Sequence, residues 1–198
     1  MGIQIIVCIK SIIANGLYER VVCSSDSREL NPYDRPVLEV ALRIREKLSG
    51  TITALSMGPE SCAFALNEAM AMGVDRSVLL CDPALAGADT LATSNALATA
   101  IRKLAPFDLV LFGARAADSD TGQVGPQVGT YLDIPVLTYV SKIEEITNGK
   151  LVVHRAVEGG HEVVESPLPA LVSVVKEINT RATVVRTNDS IDVVVPNS

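Results

Sequence analysis

A short polar loop between two apolar segments carries the residue types best suited to chemistry in this sequence. Residues 113–127 read Gly-Ala-Arg-Ala-Ala-Asp-Ser-Asp-Thr-Gly-Gln-Val-Gly-Pro-Gln and follow the apolar run at 107–112. Small residues let a ligand approach the backbone closely, and the free N–H groups at the start of a helix favour a phosphate. Thr121 and Gln123 add hydrogen-bonding groups, and Arg115 can pair with a phosphate or a flavin carbonyl. The loop therefore indicates a site for a phosphate-bearing ligand.

Ordinary turn chemistry stays open as an alternative for this loop and for two other segments. Residues 118–121 also fit a capped turn before a helix, and the loop matches neither the GxGxxG nor the Walker A pattern. Asn31-Pro32-Tyr33-Asp34 precedes a predicted helix, where Asn and Asp are common turn and cap residues. A tight connection explains residues 58–62 equally well. Spacing alone thus leaves the ligand unspecified beyond its phosphate.

Residues with the spacing of a catalytic or metal centre are not evident in the sequence. Cys8, Cys23, Cys62 and Cys81 are far apart, and the two histidines, at 154 and 161, lie in a separate segment. This cysteine usage favours a reducing compartment rather than a disulfide scaffold. We therefore predict no catalytic residues and no metal site, and expect a bound cofactor to supply the chemistry.

The elements that must position the polar loop alternate along the chain. The predicted strands cover residues 3–9, 51–57, 77–81, 107–112 and 136–140, and the predicted helices cover residues 36–48, 61–72, 89–104 and 123–132. Strands alternating with helices imply right-handed βαβ units. In such a sheet, ligands bind beyond the carboxyl ends of the strands, where the strand order reverses. The loop at 113 follows one of these ends.

The last third of the chain departs from this alternation. Apolar runs at residues 151–157 and 161–166 are separated by Glu158-Gly159-Gly160, which is typical of a hairpin, and a further apolar run covers 168–175. We therefore predict an α/β fold with a Rossmann-like, doubly wound, mostly parallel sheet and a β-hairpin excursion in the C-terminal third.

Composition excludes several classes of protein. The 198 residues include 17 basic and 23 acidic side chains, for a net charge of −6, and only 4% are aromatic. A nucleic-acid binder would need a basic face and often aromatic stacking platforms. The apolar runs fall short of the roughly 20 residues of a membrane span, and the N-terminus lacks signal-peptide features. We expect a cytoplasmic protein with no nucleic-acid partner.

In order along the chain, these motifs resemble the β subunit of electron transfer flavoproteins, the family that includes FixA. The matching segments are Val7-Cys8-Ile9-Lys10, Leu30-Asn31-Pro32-Tyr33-Asp34, Ser56-Met57-Gly58-Pro59 with Cys62, residues 69–76, the loop from Gly113, and Leu168-Pro169-Ala170. The resemblance implies a heterodimer with an α subunit that carries a redox FAD, and an adenine nucleotide held by the β subunit. In the housekeeping branch this nucleotide is AMP; in the electron-bifurcating branch it is a second FAD that accepts a hydride from NADH.

Two segments are similar to the bifurcating branch. Residues 118–126 resemble its Asp-Gly-Asp-Thr followed by Gln-Val-Gly-Pro, with Ser119 in place of the glycine. Residues 86–94 also fit, and there Thr90 and Thr93 are expected to reach the flavin ring. We predict FAD, with AMP as the alternative, and a redox partner such as an acyl-CoA dehydrogenase, ferredoxin or flavodoxin. A nucleotide-binding module without a redox role is the remaining alternative.

The resemblance also assigns roles to residues. The adenine is expected near Cys8, residues 31–34 and Cys62, and the phosphates on residues 122–125, with Asp120 and Thr121 fixing the loop and Arg115 near the flavin. The predicted cofactor-binding residues are Cys8, Asn31, Pro32, Tyr33, Asp34, Cys62, Thr90, Thr93, Gly113, Arg115, Asp118, Asp120, Thr121, Gly122, Gln123, Val124 and Gly125. We expect one adenine-nucleotide-binding domain over residues 1–198, with a hairpin insertion at 142–167 and a shortened C-terminal segment at 179–198.

Overall fold

The computed structural model describes residues 2–13, 28–147, 149–178 and 191–194, the last of these by their backbone only. Within these residues the four α-helices are α1 (Arg35–Leu48), α2 (Ala63–Met72), α3 (Thr90–Lys103) and α4 (Val124–Leu132). The strands are β1 (Ile3–Cys8), β2 (Ser11–Ile13), β3 (Arg28–Leu30), β4 (Gly50–Met57), β5 (Arg76–Leu80), β6 (Leu109–Gly113), β7 (Val136–Thr147), β8 (Lys150–Val157), β9 (Gly160–Pro167), β10 (Ala170–Val174) and β11 (Ile191–Val194).

In the described residues, nine of these strands form one sheet in the order β11-β5-β4-β1-β6-β10-β7-β8-β9. All neighbouring strands from β11 to β7 pair in parallel, whereas β8 and β9 pair antiparallel. From β1 the chain first adds β4 and β5 on one side and then crosses to β6 on the other. The strand order therefore reverses between β1 and β6, which makes the gap between their carboxyl ends the switch point of the sheet.

Helices cover both faces of the sheet because its central strands are apolar on both faces. In β6, Leu109 and Leu111 pack with residues of α1 and α2, while Val110 and Phe112 pack with residues of α3 and α4. Successive side chains of a strand point to opposite faces, so a continuous apolar run fills two separate cores. The predicted α/β class, with a doubly wound and mostly parallel sheet, is confirmed.

Local signals set the ends of the helices as predicted. The Asp89 side chain accepts a hydrogen bond from the Ala92 N–H at 2.8 Å and caps α3. Gly73 ends α2 in the left-handed conformation, with φ of 108°. Pro36 lies in the first turn of α1, where its missing N–H costs no helical hydrogen bond.

The C-terminal third contains the predicted hairpin and more. β8 and β9 pair around Glu158 and Gly159, and β10 returns between β6 and β7. β7 extends to Thr147, well beyond the predicted end at residue 140, because its second half pairs with β8. The small antiparallel pair of β2 and β3 was not predicted.

Two further sequence expectations concern the C-terminal segment and membrane spans. Most of the segment predicted as a shortened C-terminus lies outside the described residues, so that prediction stays open. Each helix found in the described ranges is too short or too polar to cross a membrane.

Candidate functional site

The polar loop singled out in the sequence lies at the switch point. β6 ends at Gly113, and residues 114–123 lead from there to the start of α4. The Ala114 N–H donates to the carbonyl of Val174 at 2.9 Å, which ties the start of the loop to the end of β10. The loop thus spans the carboxyl edge of the sheet above the central strands, the expected position of a ligand-binding loop in this fold.

Residues 31–34, here called the clip, bond this loop to β1. Asn31 is 1% exposed, its side-chain N–H donates to the Arg115 carbonyl at 3.1 Å, and its side-chain oxygen accepts from the Ala117 N–H at 3.2 Å. Its backbone N–H donates to the carbonyl of Lys10, the second residue after β1, at 2.9 Å. Both ends of the amide are therefore engaged with loop backbone. Such a pair of bonds fixes the position of residues 115–117 relative to β1.

Asp34 provides the second bond of the clip. Its carboxylate accepts from the Lys10 N–H at 2.7 Å and from the Gly113 N–H, so it joins the ends of β1 and β6. Asp34 is 4% exposed, and burial raises its pKa to about 7, against the opposing effects of the Lys10 N–H, the Asn31 side chain and the Lys10 charge. Burial, and then the Asp34 charge, raise the pKa of the adjacent Cys8 thiol. The clip therefore contains a carboxyl group that titrates near neutrality.

Gly113 has to be a glycine for the clip to close. A Cβ at this position would lie 2.6 Å from Asp34 Oδ1 and 3.0 Å from the Tyr33 carbonyl oxygen. The distance to Asp34 is shorter than a carbon–oxygen contact allows, and the distance to the carbonyl is unusually short. The absence of a side chain at the end of β6 is what lets residues 33 and 34 pack directly onto it.

Three basic side chains lie around the loop. The Arg115 guanidinium lies over the ring of Tyr33, 5.2 Å from its centroid, and 3.3 Å from an Asp120 carboxylate oxygen. The Asp120 carboxylate, and to a smaller extent the neighbouring Tyr33, raise the pKa of Arg115. Lys10 pairs with Asp118 at 2.8 Å, and the Lys176 ammonium lies 5.9 Å from the Tyr33 ring. The loop therefore presents cations at its surface despite the acidic chain.

The start of α4 presents backbone donors at the end of the loop. Gln123, Val124 and Gly125 open the helix, and by helix geometry their N–H groups have no intrahelical acceptor. The Gln123 side chain turns to the Thr90 hydroxyl at 3.2 Å. Gly125 packs on Phe112, since a Cβ there would be 3.4 Å from the ring. These amides, at the positive end of the helix dipole, therefore lie over the end of β6.

α3 is fastened to this helix start by a buried serine. The Ser94 hydroxyl is within 2.6 Å of the Thr90 carbonyl, 2.8 Å of the Gln127 side-chain oxygen and 3.3 Å of the Val124 carbonyl. One hydroxyl proton cannot serve all three acceptors, so it is shared among them. The first turns of α3 and α4 thus lie side by side and face the same edge of the sheet.

Left-handed backbone conformations cluster at the far end of the loop. Asp120 has φ of 51° and Gly122 has φ of 61°. A Cβ at Gly122 would lie 3.1 Å from the Ala114 carbonyl oxygen and 3.8 Å from the hydroxyl of Tyr139. Tyr139 itself has φ of 55°, and for an aromatic residue this conformation costs about 1–2 kcal/mol. The loop is therefore tightly turned where it meets α4.

The structure brings most of the predicted site residues together. One group belongs to the clip or contacts it: Asn31, Pro32, Tyr33, Asp34 and Gly113. A second group lies in the loop: Arg115, Asp118, Asp120, Thr121 and Gly122. A third lies where α3 and α4 begin: Thr90, Thr93, Gln123, Val124 and Gly125.

The two predicted cysteines lie on opposite faces of the sheet. Cys8 ends β1 on the face covered by α3 and α4, whereas Cys62 packs in the core beneath α1 and α2. The Cys62 sulfur lies 3.8 Å from an Arg28 nitrogen, and burial, partly offset by Arg28, raises its thiol pKa. The proximity of these cysteines to an adenine stays a prediction, as do the ligand contacts of the other site residues.

Several residues of this arrangement were not predicted from the sequence. Ser94 and Gln127 join the two helix starts. Lys176, which follows β10, lies over the ring of Tyr33, and Tyr139 approaches Gly122 from β7. Ser94 carried a detectable signal, as a polar residue on the apolar stripe of α3. Tyr139 carried none, because an aromatic residue is ordinary in a strand.

Fold and site together define a doubly wound α/β protein with a polar, glycine-containing loop at its switch point. Comparisons with known proteins specify the family. Residues 20–195 match the family described as "Electron transfer flavoprotein domain". The chain is 51% identical over 150 residues to the electron transfer flavoprotein subunit beta of Thermoanaerobacterium thermosaccharolyticum, covering 76% of this chain and 57% of the relative. It is 48% identical over 151 residues to the caffeyl-CoA reductase-Etf complex subunit CarD of Acetobacterium woodii, with the same coverages of 76% and 57%.

A third relative is covered more fully. The chain is 40% identical over 189 residues to the protein FixA of Azorhizobium caulinodans, covering 89% of this chain and 67% of the relative. The protein therefore belongs to the electron transfer flavoprotein family, among its β subunits and FixA proteins. The chain spans a little over half, 57%, of the length of the first two relatives.

Proposed function

We propose that this protein is the β subunit of a heterodimeric electron transfer flavoprotein and binds an adenine nucleotide at the switch point. Family membership supports the class of function, and the names of its relatives support a subunit role. Free thiols at Cys8, Cys62 and Cys81 among the described residues fit a cytoplasmic location. The observation that carries the binding proposal is the glycine-turned loop that ends on the free amides of α4.

The residues at this loop fit the phosphates of a nucleotide. Gly122 has no side chain to cover the turn, and the N–H groups of Gln123, Val124 and Gly125 supply donors at the positive end of a helix. Arg115 and Lys10 add charge, and each is paired with a loop carboxylate that a phosphate would replace or join. The loop would hold the phosphates, and the clip would hold the loop.

We propose FAD as the nucleotide, with AMP as the alternative. Residues 118–126 and 86–94, which resemble the bifurcating branch, lie in the loop and at the start of α3. Thr90 and Thr93 are one turn apart on α3, so both can face a ring placed beside Gln123. A flavin bound here supplies hydride acceptance and one-electron transfer. The chain's own contribution is to position that ring and to place positive charge beside it.

The electron donors and acceptors follow from the same proposal. NADH is the donor expected of the bifurcating branch, and a ferredoxin or flavodoxin is one expected acceptor. The name of the Acetobacterium relative places that protein in a complex with a caffeyl-CoA reductase. An acyl-CoA dehydrogenase or a related acyl-CoA enzyme is therefore the second class of partner that we propose.

Cofactor content tests this function directly. The chain is co-expressed with an electron transfer flavoprotein α subunit, and the complex is purified, denatured and analysed for released nucleotides. We expect two FAD per heterodimer. One FAD and one AMP per heterodimer would instead support membership of the housekeeping branch, in which the β subunit holds AMP. A chain that carries no nucleotide and captures no α subunit would refute the proposal.

A further inference from the structure

Tyr139 is held in an unusual position by a bulge in β7. Leu137 pairs with Val172 on β10, and Val140 pairs with Val174, so three steps on β7 match two on β10. Leu137 and Val140 both pack into the core beneath α1, although residues three apart in a regular strand face opposite sides. The bulge absorbs this difference. It turns the Tyr139 side chain away from that core, and 52% of the residue is exposed.

The backbone on both sides of Tyr139 is fixed by hydrogen bonds. Arg155 donates from Nε to the Thr138 carbonyl and from its terminal nitrogen to the Thr138 hydroxyl, both at 3.0 Å. The Val175 N–H donates to the Val140 carbonyl at 3.0 Å. These bonds hold the residues on either side of Tyr139, whose φ of 55° costs free energy for an aromatic residue. Because the Tyr139 ring is half exposed, its burial offsets little of the free-energy cost of this backbone conformation.

The strained side chain is directed at the polar loop. The Tyr139 hydroxyl lies 3.8 Å from the point where a Cβ of Gly122 would be. Gly122 immediately precedes the residues that open α4, so the hydroxyl stands beside the amides to which we assign the phosphates. Bulges near binding sites commonly serve to redirect one side chain. A phenol in this position adds a neutral hydrogen-bond donor next to the turn at Gly122.

We propose that Tyr139 is a ligand-binding residue and that its hydroxyl donates a hydrogen bond to a phosphate oxygen of the bound adenine nucleotide. This inference rests on the proposed function, because it takes the phosphate to lie at residues 122–125. It assigns the site a wall that comes from β7, on the far side of the loop from the clip. It also gives a reason for the strained backbone of Tyr139, whose half-exposed ring gains little stability from packing.

The test compares AMP with adenosine, which lacks the phosphate. The chain is freed of bound nucleotide, and both compounds are titrated calorimetrically into the wild type, Tyr139→Phe and the matched control Tyr131→Phe, whose ring lies near the other end of α4. We expect Tyr139→Phe to raise the dissociation constant of AMP roughly ten- to hundredfold, as for loss of a hydrogen bond to a charged group. Adenosine binding should stay unchanged, and the control should bind both compounds like the wild type.

A second variant tests whether the strain serves the fold. Asn tolerates the left-handed conformation, so Tyr139→Asn should unfold at the same or a higher temperature without nucleotide, yet bind AMP at least as weakly as Tyr139→Phe. The inference is overturned if Tyr139→Phe binds AMP within twofold of the wild type, if it weakens adenosine equally, or if Tyr139→Asn unfolds at a clearly lower temperature. A wild-type chain that binds neither AMP nor FAD would refute the proposed function itself.

Discussion

The two sides of the switch point differ in what their polar groups bond to. On the side of α1, the clip places the side chains of Asn31 and Asp34 in contact with the backbone of Lys10, Gly113, Arg115 and Ala117, and both side chains are buried. On the side of α3 and α4, the loop ends on helix amides that have no intrahelical acceptor, beside exposed threonine and glutamine side chains. The clip side chains are bonded to protein groups, whereas the start of α4 leaves backbone donors available.

This contrast indicates different roles for the clip and for residues 122–125, although the sequence analysis placed both in one set of cofactor-binding residues. A buried amide that already makes two hydrogen bonds gains nothing by facing a ligand, and breaking those bonds carries a full desolvation cost. Free amides at a helix start gain from an anion. The clip therefore positions the loop, and the phosphate site that we propose lies at residues 122–125. Contacts between the clip and the nucleotide stay a prediction. The predictions below attack one side at a time.

The largest effect is expected from Gly113→Ala. The new Cβ would overlap the Asp34 carboxylate and crowd the Tyr33 carbonyl, so the clip has to shift away from β6. Overpacking of this kind typically costs 1–3 kcal/mol, and contact with rigid backbone places this case near the top, at about 3 kcal/mol. Urea unfolding monitored by circular dichroism measures it. Gly160→Ala is the matched control, because a Cβ there meets open space. Equal stability of the two variants would show that the clip is not tightly closed.

Gly122→Asp tests the open side. Gly122→Asn is its control, since both residues tolerate φ of 61° and have nearly the same size, leaving the charge as the difference. A carboxylate beside the phosphates should lower the affinity for AMP about a hundredfold relative to the wild type, whereas Asn should cost about tenfold or less. Calorimetric titration measures both. If the two variants lose affinity equally, the charge of the ligand is not what the loop binds.

Asn31→Leu should weaken the clip without steric conflict. The Ala117 N–H and the Arg115 carbonyl would lose their partner in a buried position, at a cost of about 2 kcal/mol. Amide hydrogen exchange at Ala117 should accelerate along with the loss of stability. Asn67→Leu on the exposed face of α2 makes the same exchange of side chains and should leave both quantities unchanged. Slow exchange at Ala117 in the Asn31 variant would contradict a positioning role.

Asp34 should make stability depend on pH. Its pKa of about 7 in the folded protein exceeds the unfolded value of 3.8, so the native state binds more protons between these limits. Stability relative to Asp34→Asn should therefore fall as pH rises from about 4 to 7, by about 1 kcal/mol per pH unit, and level off above pH 7. Unfolding curves between pH 5 and 8 give the slope, and Glu158→Gln serves as an exposed control. A slope of the opposite sign would mean that the carboxylate is stabilised in its buried position.

The sequence predicts those features that depend on local pattern. The Asp89 cap, the Gly73 stop and the Glu158-Gly159-Gly160 turn each act over a few residues, and each is confirmed. The apolar run of β6 likewise announces a strand covered on both faces. The switch-point loop followed from these elements, because strand order fixes which carboxyl ends lie together.

Features that depend on distant partners escape such reasoning. Asp34 precedes α1 as a cap residue would, yet its carboxylate accepts hydrogen bonds from the backbone of Lys10 and Gly113. Lys10 lies 24 residues before Asp34 in the sequence. β2 and β3 are three residues each and pair across a long separation, so neither has a periodic pattern of its own. The bulge at Tyr139 results from the register between β7 and β10. None of these contacts produces a recognisable sequence pattern within a single segment.

The central claim is that an adenine nucleotide places its phosphates on the amides that open α4. Titration of AMP into the isotope-labelled chain, followed by amide NMR, tests this most directly. We predict the largest chemical-shift changes at residues 122–125, smaller changes at residues 115–117, and no change in the β8–β9 hairpin. Saturable binding that leaves residues 122–125 unshifted, or that instead shifts residues such as Arg43, Lys47 and Lys142, which line a cleft between α1 and β7, would contradict the account.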